Sequence, residues 1–313
     1  MNLLEHPDQS LNNYNFLLLA SGSDSRAYEI IKNITSFSKI KVIIFNFSER
    51  LDGLKDDDPL FNYKNFKYND FQEISCEIKN PSSCLEQILS NNFSINSNIG
   101  IDISCFTKPY FYFIFKLLRE RFGVEKLSAF YTEPKSYLFQ RGLFNAFHSS
   151  SGPLSILEIP GYSGQEARGA KRKLVILLGF DGDLSKEINE DVSPINTVVV
   201  NGFPAYAPKF KDISLMANEK LVSDKNITIA YARANNPFDI YNLLQSLKDA
   251  EKGTSFINIA PIGTKPMALG ACLFALHNPD VRIIYPLPEH YENKYSDMSW
   301  NSWIYDIPLI NKF

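Results

Sequence analysis

Cysteine and histidine are scarce here, with four of each among 313 residues. Cys76, Cys84, Cys105 and Cys272 show no C-x-x-C spacing, and His6, His148, His277 and His290 are scattered along the chain. A disulfide framework and a structural zinc site are therefore not expected, and neither is any other metal or cofactor. The GxxxxGK[ST] and GxGxxG fingerprints are both missing, which removes the commonest NTPase and dinucleotide-binding readings. No apolar run approaches the roughly 20 residues a bilayer span needs. Residues 1–13 lack the basic-then-apolar order of a signal peptide. The expectation is a cytoplasmic protein with no membrane partner. A net charge of −3 offers no bulk attraction for a polyanion, so direct nucleic-acid binding is not expected either. Gly161-Tyr162-Ser163-Gly164 is not a GxSxG elbow and follows no clear strand, so no catalytic residue is assigned.

What the chain does have is an internal echo. Phe16-Leu-Leu-Leu-Ala20 runs into Ser21-Gly22-Ser23-Asp24-Ser25-Arg26, and Leu174-Val-Ile-Leu-Leu178 runs into Gly179-Phe180-Asp181-Gly182-Asp183. Gly22 and Gly179 are 157 positions apart (179 − 22). The triplet Thr107-Lys108-Pro109 returns at the same offset as Thr264-Lys265-Pro266, each after a buried-looking strand. Asn80-Pro81 recurs as Asn236-Pro237, and the Tyr131-to-Tyr137 segment as Tyr285-to-Tyr291. Four matches in one order at nearly one spacing indicate a repeated unit.

Short β-branched runs alternating with helical stretches mark parallel sheets covered on both faces. In the first half, strands are expected near 16–20, 41–47, 99–104 and 127–131. Helices are expected near 25–35, from Asn80-Pro81 through Leu89, and after Pro109. The second half reads as strands near 174–178, 196–200, 227–231, 256–260 and 281–285, with helices near 183–190, 237–250 and 266–277. The fold class is thus α/β: two tandem, internally duplicated Rossmann-like parallel-sheet units. The expected boundaries are 1–147 for the first unit, 148–171 for a linker, and 172–313 for the second unit with a C-terminal extension.

Ligands of open parallel sheets bind beyond the carboxyl ends of the strands, where all the repeated motifs fall. Proline suits the first turn of a helix and disfavours helical geometry in the residue before it. Pro109 and Pro266 are therefore expected to start helices, with Lys108 and Lys265 as caps. A helix N-terminus beside a lysine and a threonine suits a phosphate or carboxylate, although the triplet can equally serve as a plain cap. Its occurrence in both halves favours the ligand. Asp24 and Asp181 either cap the next helix or contact ribose hydroxyls. Gly22 and Gly179 permit a tight turn or close backbone approach. Tyr131 and Tyr285 either stack on a base or pack the two halves together.

At Ile257 to Ala275 a buried strand meets Gly263-Thr264-Lys265, which opens an apolar helix. This resembles the strand-end G-T-K signature of CRISPR-associated Rossmann-fold (CARF) sensor domains. Thr264 and Lys265 match that signature, while Thr107 and Lys108 match it less fully because Phe106 stands in the glycine's place. The first-strand loops, including Gly22, Ser23, Asp24 and Arg26, and Gly179 and Asp181 in the second half, correspond in location. In that family the two loops together grip cyclic oligonucleotides across a dimer's two-fold axis. The resemblance implies a sensor of a nucleotide or other phosphate-bearing small molecule, acting on a separate protein effector in prokaryotic defence. The other classes left open are a nucleotide-hydrolysing or phosphodiester-cleaving enzyme on the same scaffold and a ligand-free scaffold subunit of a defence complex.

Overall fold

A computed structural model describes residues 2–3, 13–21, 24–33, 40–47, 71–137, 150–151, 155–287, 290–291 and 296–310. The chain divides into two compact units, residues 1–138 with 293–313, and residues 139–292.

In the first unit a seven-stranded sheet is built from β1 (Asn2–Leu3), β2 (Phe16–Ala20), β3 (Lys41–Phe47), β4 (Phe71–Cys76), β5 (Ile99–Asp102), β6 (Lys126–Tyr137) and β15 (Ser296–Pro308). Its order is β1-β15-β6-β5-β2-β3-β4. The five strands from β6 to β4 run parallel, and β15 closes against β6 antiparallel. In the second unit the strands are β7 (Ser150–Ser151), β8 (Ser155–Glu158), β9 (Lys171–Leu177), β10 (Asn196–Gly202), β11 (Ile227–Ala232), β12 (Ser255–Pro261), β13 (Arg282–Leu287) and β14 (His290–Tyr291). Six of them form a sheet of order β11-β10-β9-β12-β13-β8, all parallel except β8, while β7 and β14 pair separately. This is the expected α/β architecture of two Rossmann-like units. The parallel cores share one strand order: third, second, first, fourth, fifth. The direction of winding reverses between β2 and β5 in one sheet, and between β9 and β12 in the other.

The antiparallel edge strands depart from the expected layout. Strand β15, whose residues were expected to extend the second unit, instead pairs with β6 of the first. There β15 buries Tyr305 and Ile307 beside β6, with an irregularity between Ser299 and Ser302. Part of the expected linker is also sheet, since β8 lies along β13. Two further elements carry little sequence signal: β4, whose Glu73 and Ser75 are exposed while Ile74 and Cys76 are buried, and the helix Pro208–Ala217. Where a helix was expected after β2, the chain makes two 3-10 turns, Ser25–Tyr28 and Ile31–Asn33. Ala27, Ile30 and Ile31 are buried from those turns, so the apolar periodicity reports burial rather than a regular helix.

Each switch strand is followed by a helix buried almost all round. After β5 comes Lys108–Phe122, whose Tyr110, Phe111, Tyr112 and Phe115 fill the first core. After β12 comes Lys265–His277, in which every residue from Pro266 onward is buried. Its small residues allow close packing: a Cβ on Gly270 would stand 2.2 Å from the Pro237 carbonyl oxygen. The second of these helices is apolar on every side, as befits a protein's interior, and both carry their N-termini to the carboxyl edge of a sheet.

Candidate functional site

Both Thr-Lys-Pro segments open helices, but the caps are the threonines. Thr107 and Thr264 have extended backbone (ψ 150° and 161°), and the lysines are the first helical residues. At Thr264 the reason is chemical: a hydroxyl can accept from the first free amides, and an ammonium cannot.

The two copies then diverge. Thr264 Oγ1 accepts from the Met267 amide at 3.4 Å and donates to the Ala234 carbonyl at 2.5 Å, so its hydrogen-bonding capacity serves the fold. Gly263 is required by packing, because a Cβ there would lie 2.9 Å from the Leu178 carbonyl oxygen and 3.2 Å from Met267 Sδ. Gly179 meets the same loop from the other side, 3.0 Å from the Ile262 carbonyl oxygen by the same measure. Its own carbonyl accepts from Ser214 Oγ and Asn218 Nδ2. Asp181 caps the helix Gly182–Val192 by accepting from the Leu184 amide at 3.4 Å. In the second unit, then, the motif residues make a tightly joined structural corner.

In the first unit Thr107 is 5% exposed, makes no capping bond, and its Oγ1 has no hydrogen-bond partner. Ser21, which follows β2, is fully buried and its Oγ is likewise without a partner. Strands β2 and β5 are neighbours with Leu18 opposite Ile101, so both hydroxyls lie beyond the carboxyl ends of adjacent strands at the switch point. A buried hydroxyl without a partner is costly and uncommon. In the second unit Leu178 occupies the position 157 residues after Ser21.

The first unit's strand ends also carry several hydrogen-bonded polar groups, although Asp102 Oδ2 is buried without a hydrogen-bond partner. Arg26, 3% exposed, forks onto Asp24 (Nε–Oδ1 2.9 Å, Nη2–Oδ2 2.7 Å) and donates to the Thr132 carbonyl at 3.3 Å. Asp24 also accepts from the Arg26 amide. Both residues therefore brace the loop, and of the two roles open to Asp24 the structure displays capping. The Ser104 amide donates to Asp102 Oδ1, and Ser104 Oγ accepts from the Thr132 amide. Glu133 is buried and accepts from Trp303 Nε1 at 2.6 Å, which ties it to β15. Tyr131 and Tyr285 are 2% and 8% exposed, so both rings pack the core rather than offering an open stacking face. Gly22 and Ser23 lie outside the described residues, as do the side chains of Tyr137 and Tyr291.

Among the described residues no three His, Cys, Asp or Glu side chains gather as a metal-ligand set. No described helix is long and apolar enough to cross a membrane. Sequence reasoning missed Ser21 as a site candidate. The signal was present as the one polar residue ending an otherwise apolar strand run.

No protein-family model matches the chain, and no curated protein matches it. Among solved structures the fold is similar to that of a type III CRISPR defence DNA nuclease activated by cyclic oligoadenylate, with a TM-score of 0.51 at 11% identity. The match covers 86% of this chain and 65% of the nuclease, so this chain spans about two thirds of that protein's length.

Proposed function

We propose that this protein is a CARF-like sensor of a nucleotide-derived, phosphate-bearing ligand in prokaryotic defence, and that the carboxyl edge of the first sheet is its principal contact. The observation that carries this reading is the pair of buried, unpartnered hydroxyls, Ser21 Oγ and Thr107 Oγ1. They sit at the switch point, where open α/β sheets take ligands, beside the N-terminus of the fifteen-residue helix that Lys108 opens. Hydroxyl donors, helix amides and an ammonium are together the groups that hold a phosphate. The fold likeness to a nuclease activated by cyclic oligoadenylate supports that ligand class.

The shared strand order and the 157-residue spacing support an internally duplicated pair in which the halves have specialised. The first retains unsatisfied donors, and the second, around Gly263, Thr264 and Lys265, keeps the motif mainly as structure. Lys265 remains a second phosphate contact in this reading. Output passes to a separate effector protein.

Calorimetry of the whole chain with cyclic oligoadenylates of defined ring size, against linear oligoadenylate and AMP, tests the proposal. Tight binding of a cyclic species, weakened by Thr107→Val, is expected. Turnover of the ligand in the same samples favours the enzyme reading, and absence of binding to any of them overturns the sensor.

A further inference from the structure

The second unit carries a cavity that the proposed ligand site does not use. On one sheet face the helix Gly182–Val192 packs Ile188 and Val192 over Leu174 and Ile176. Next to it lies a cavity of about 660 Å³, within the range of about 300–1,000 Å³ typical of small-molecule sites. Its lining includes Asn258, Glu158, Glu187, Asp191, Arg172 and Arg282.

Asn258 is the informative residue. Register places it between Leu174 of β9 and Arg282 of β13, and neighbours in register share a sheet face. Asn258 is fully buried; its Nδ2 donates to the Lys173 carbonyl at 3.5 Å, which leaves Oδ1 as an acceptor with no partner. The cavity thus has a buried oxygen in its wall that asks for a donor.

The charges point the same way. Glu187 and Asp191 stand four apart on one helix, a spacing at which like charges repel. Asp191 lies in the last turn, at the helix's negative end, and that turn has no basic residue. Glu158 adds a third carboxylate from β8. The two arginines are already engaged by Glu166: Arg172 makes a fork at 2.6 and 3.3 Å, and Arg282 Nη2 stands 3.8 Å away. Arg282 Nε also donates to the Ser163 carbonyl. Two guanidinium charges less Glu166 leave +1, against −3 from Glu158, Glu187 and Asp191, a balance of −2.

We propose that this cavity binds a small alkyl-polyammonium ion, its ammonium groups held by Glu158, Glu187 and Asp191 and one N–H given to Asn258 Oδ1. Asn258 Oδ1 calls for a hydrogen-bond donor, the net negative charge calls for a cation, and no metal-ligand set forms among the described residues. This site is independent of the nucleotide reading.

The test is calorimetry of the full chain with spermidine at about 0.15 M ionic strength, where the Debye length is near 8 Å and diffuse surface attraction is screened. One-to-one binding is expected, with at least about tenfold weaker affinity in Glu187→Gln/Asp191→Asn. That variant relieves a like-charge pair, so its unliganded melting temperature should be equal or higher, and this separates lost binding from lost folding. Glu158→Gln, on an exposed edge, should weaken binding to a lesser degree. Absence of spermidine binding, unchanged affinity in the double variant, or an equal response to Mg²⁺ at matched ionic strength each overturns the proposal.

Discussion

Thr264 donates its hydroxyl to the Ala234 carbonyl at 2.5 Å, clamping the start of the helix Lys265–His277 to the segment that follows β11. Its counterpart Thr107 is the more deeply buried of the two, yet gives its hydroxyl to nothing in the protein. One triplet is therefore a finished joint, and the other retains an unmet demand.

Thr264→Val should cost about 1–2 kcal/mol of stability through loss of a cap and of the part-buried bond to the Ala234 carbonyl. Thr107→Val should lie within about 0.5 kcal/mol of wild type, because a methyl replaces a hydroxyl that had no partner. Urea denaturation of the two variants checks the contrast. In ligand titration the order should invert, with Thr107→Val the more damaging.

Removing the ammonium at the first site, with Lys108→Ala, should weaken the nucleotide ligand by about 1–3 kcal/mol, as for a charge-assisted contact. Lys265→Ala should have a smaller effect if the second unit's corner is mainly structural. Affinities from calorimetry, with circular dichroism as a folding control, settle the order.

Arg26→Met should destabilise the first unit by about 2–3 kcal/mol. It strips Asp24 of its two-pronged partner and the Thr132 carbonyl of a donor in a region with little access to water. Thermal melting is the measurement. A loss of ligand affinity without loss of stability would instead make Arg26 a ligand contact.

Glycine substitutions should rank by the space available. Gly182→Ala places a Cβ 1.8 Å from the Ala217 carbonyl oxygen, whereas Gly263→Ala places one 2.9 Å from that of Leu178. The first should prevent normal docking of the helix Gly182–Val192. The second should cost about 1–3 kcal/mol, the usual range for an overpacked site. Expression yield and denaturation midpoints report the order.

Acid should expose one further ion pair. The Lys173 ammonium bonded to Glu251, with the Ser255 hydroxyl, holds that carboxyl below its ordinary value of 4.5. A depressed folded pKa contributes stability that is fully present above the unfolded value and is lost as pH falls through the folded one. The stability difference between wild type and Glu251→Gln should therefore be constant near neutrality and shrink below about pH 4.5. Denaturation at several pH values checks it.

Several features were legible from residue order alone. The apolar strand runs, the prolines in the first turns of helices, and the paired triplets specified two parallel-sheet units and the strand ends at which their buried helices begin. These are local signals, set by side-chain burial and backbone dihedrals within a few residues. Tertiary structure decided the rest. Residues 296–308 pair with 126–137 across some 170 positions, a choice made by sheet-edge hydrogen bonding and by burial of Tyr305 and Ile307, which no local pattern announces. The same holds for the roles of the motif residues. Thr264 is satisfied because the Ala234 carbonyl arrives from another strand end, and Ser21 and Thr107 are left unsatisfied because no such neighbour reaches them. A hydroxyl's chemistry is written in the sequence, but whether it is spent on the fold or kept for a ligand depends on which distant groups the packing brings within 3.5 Å of it.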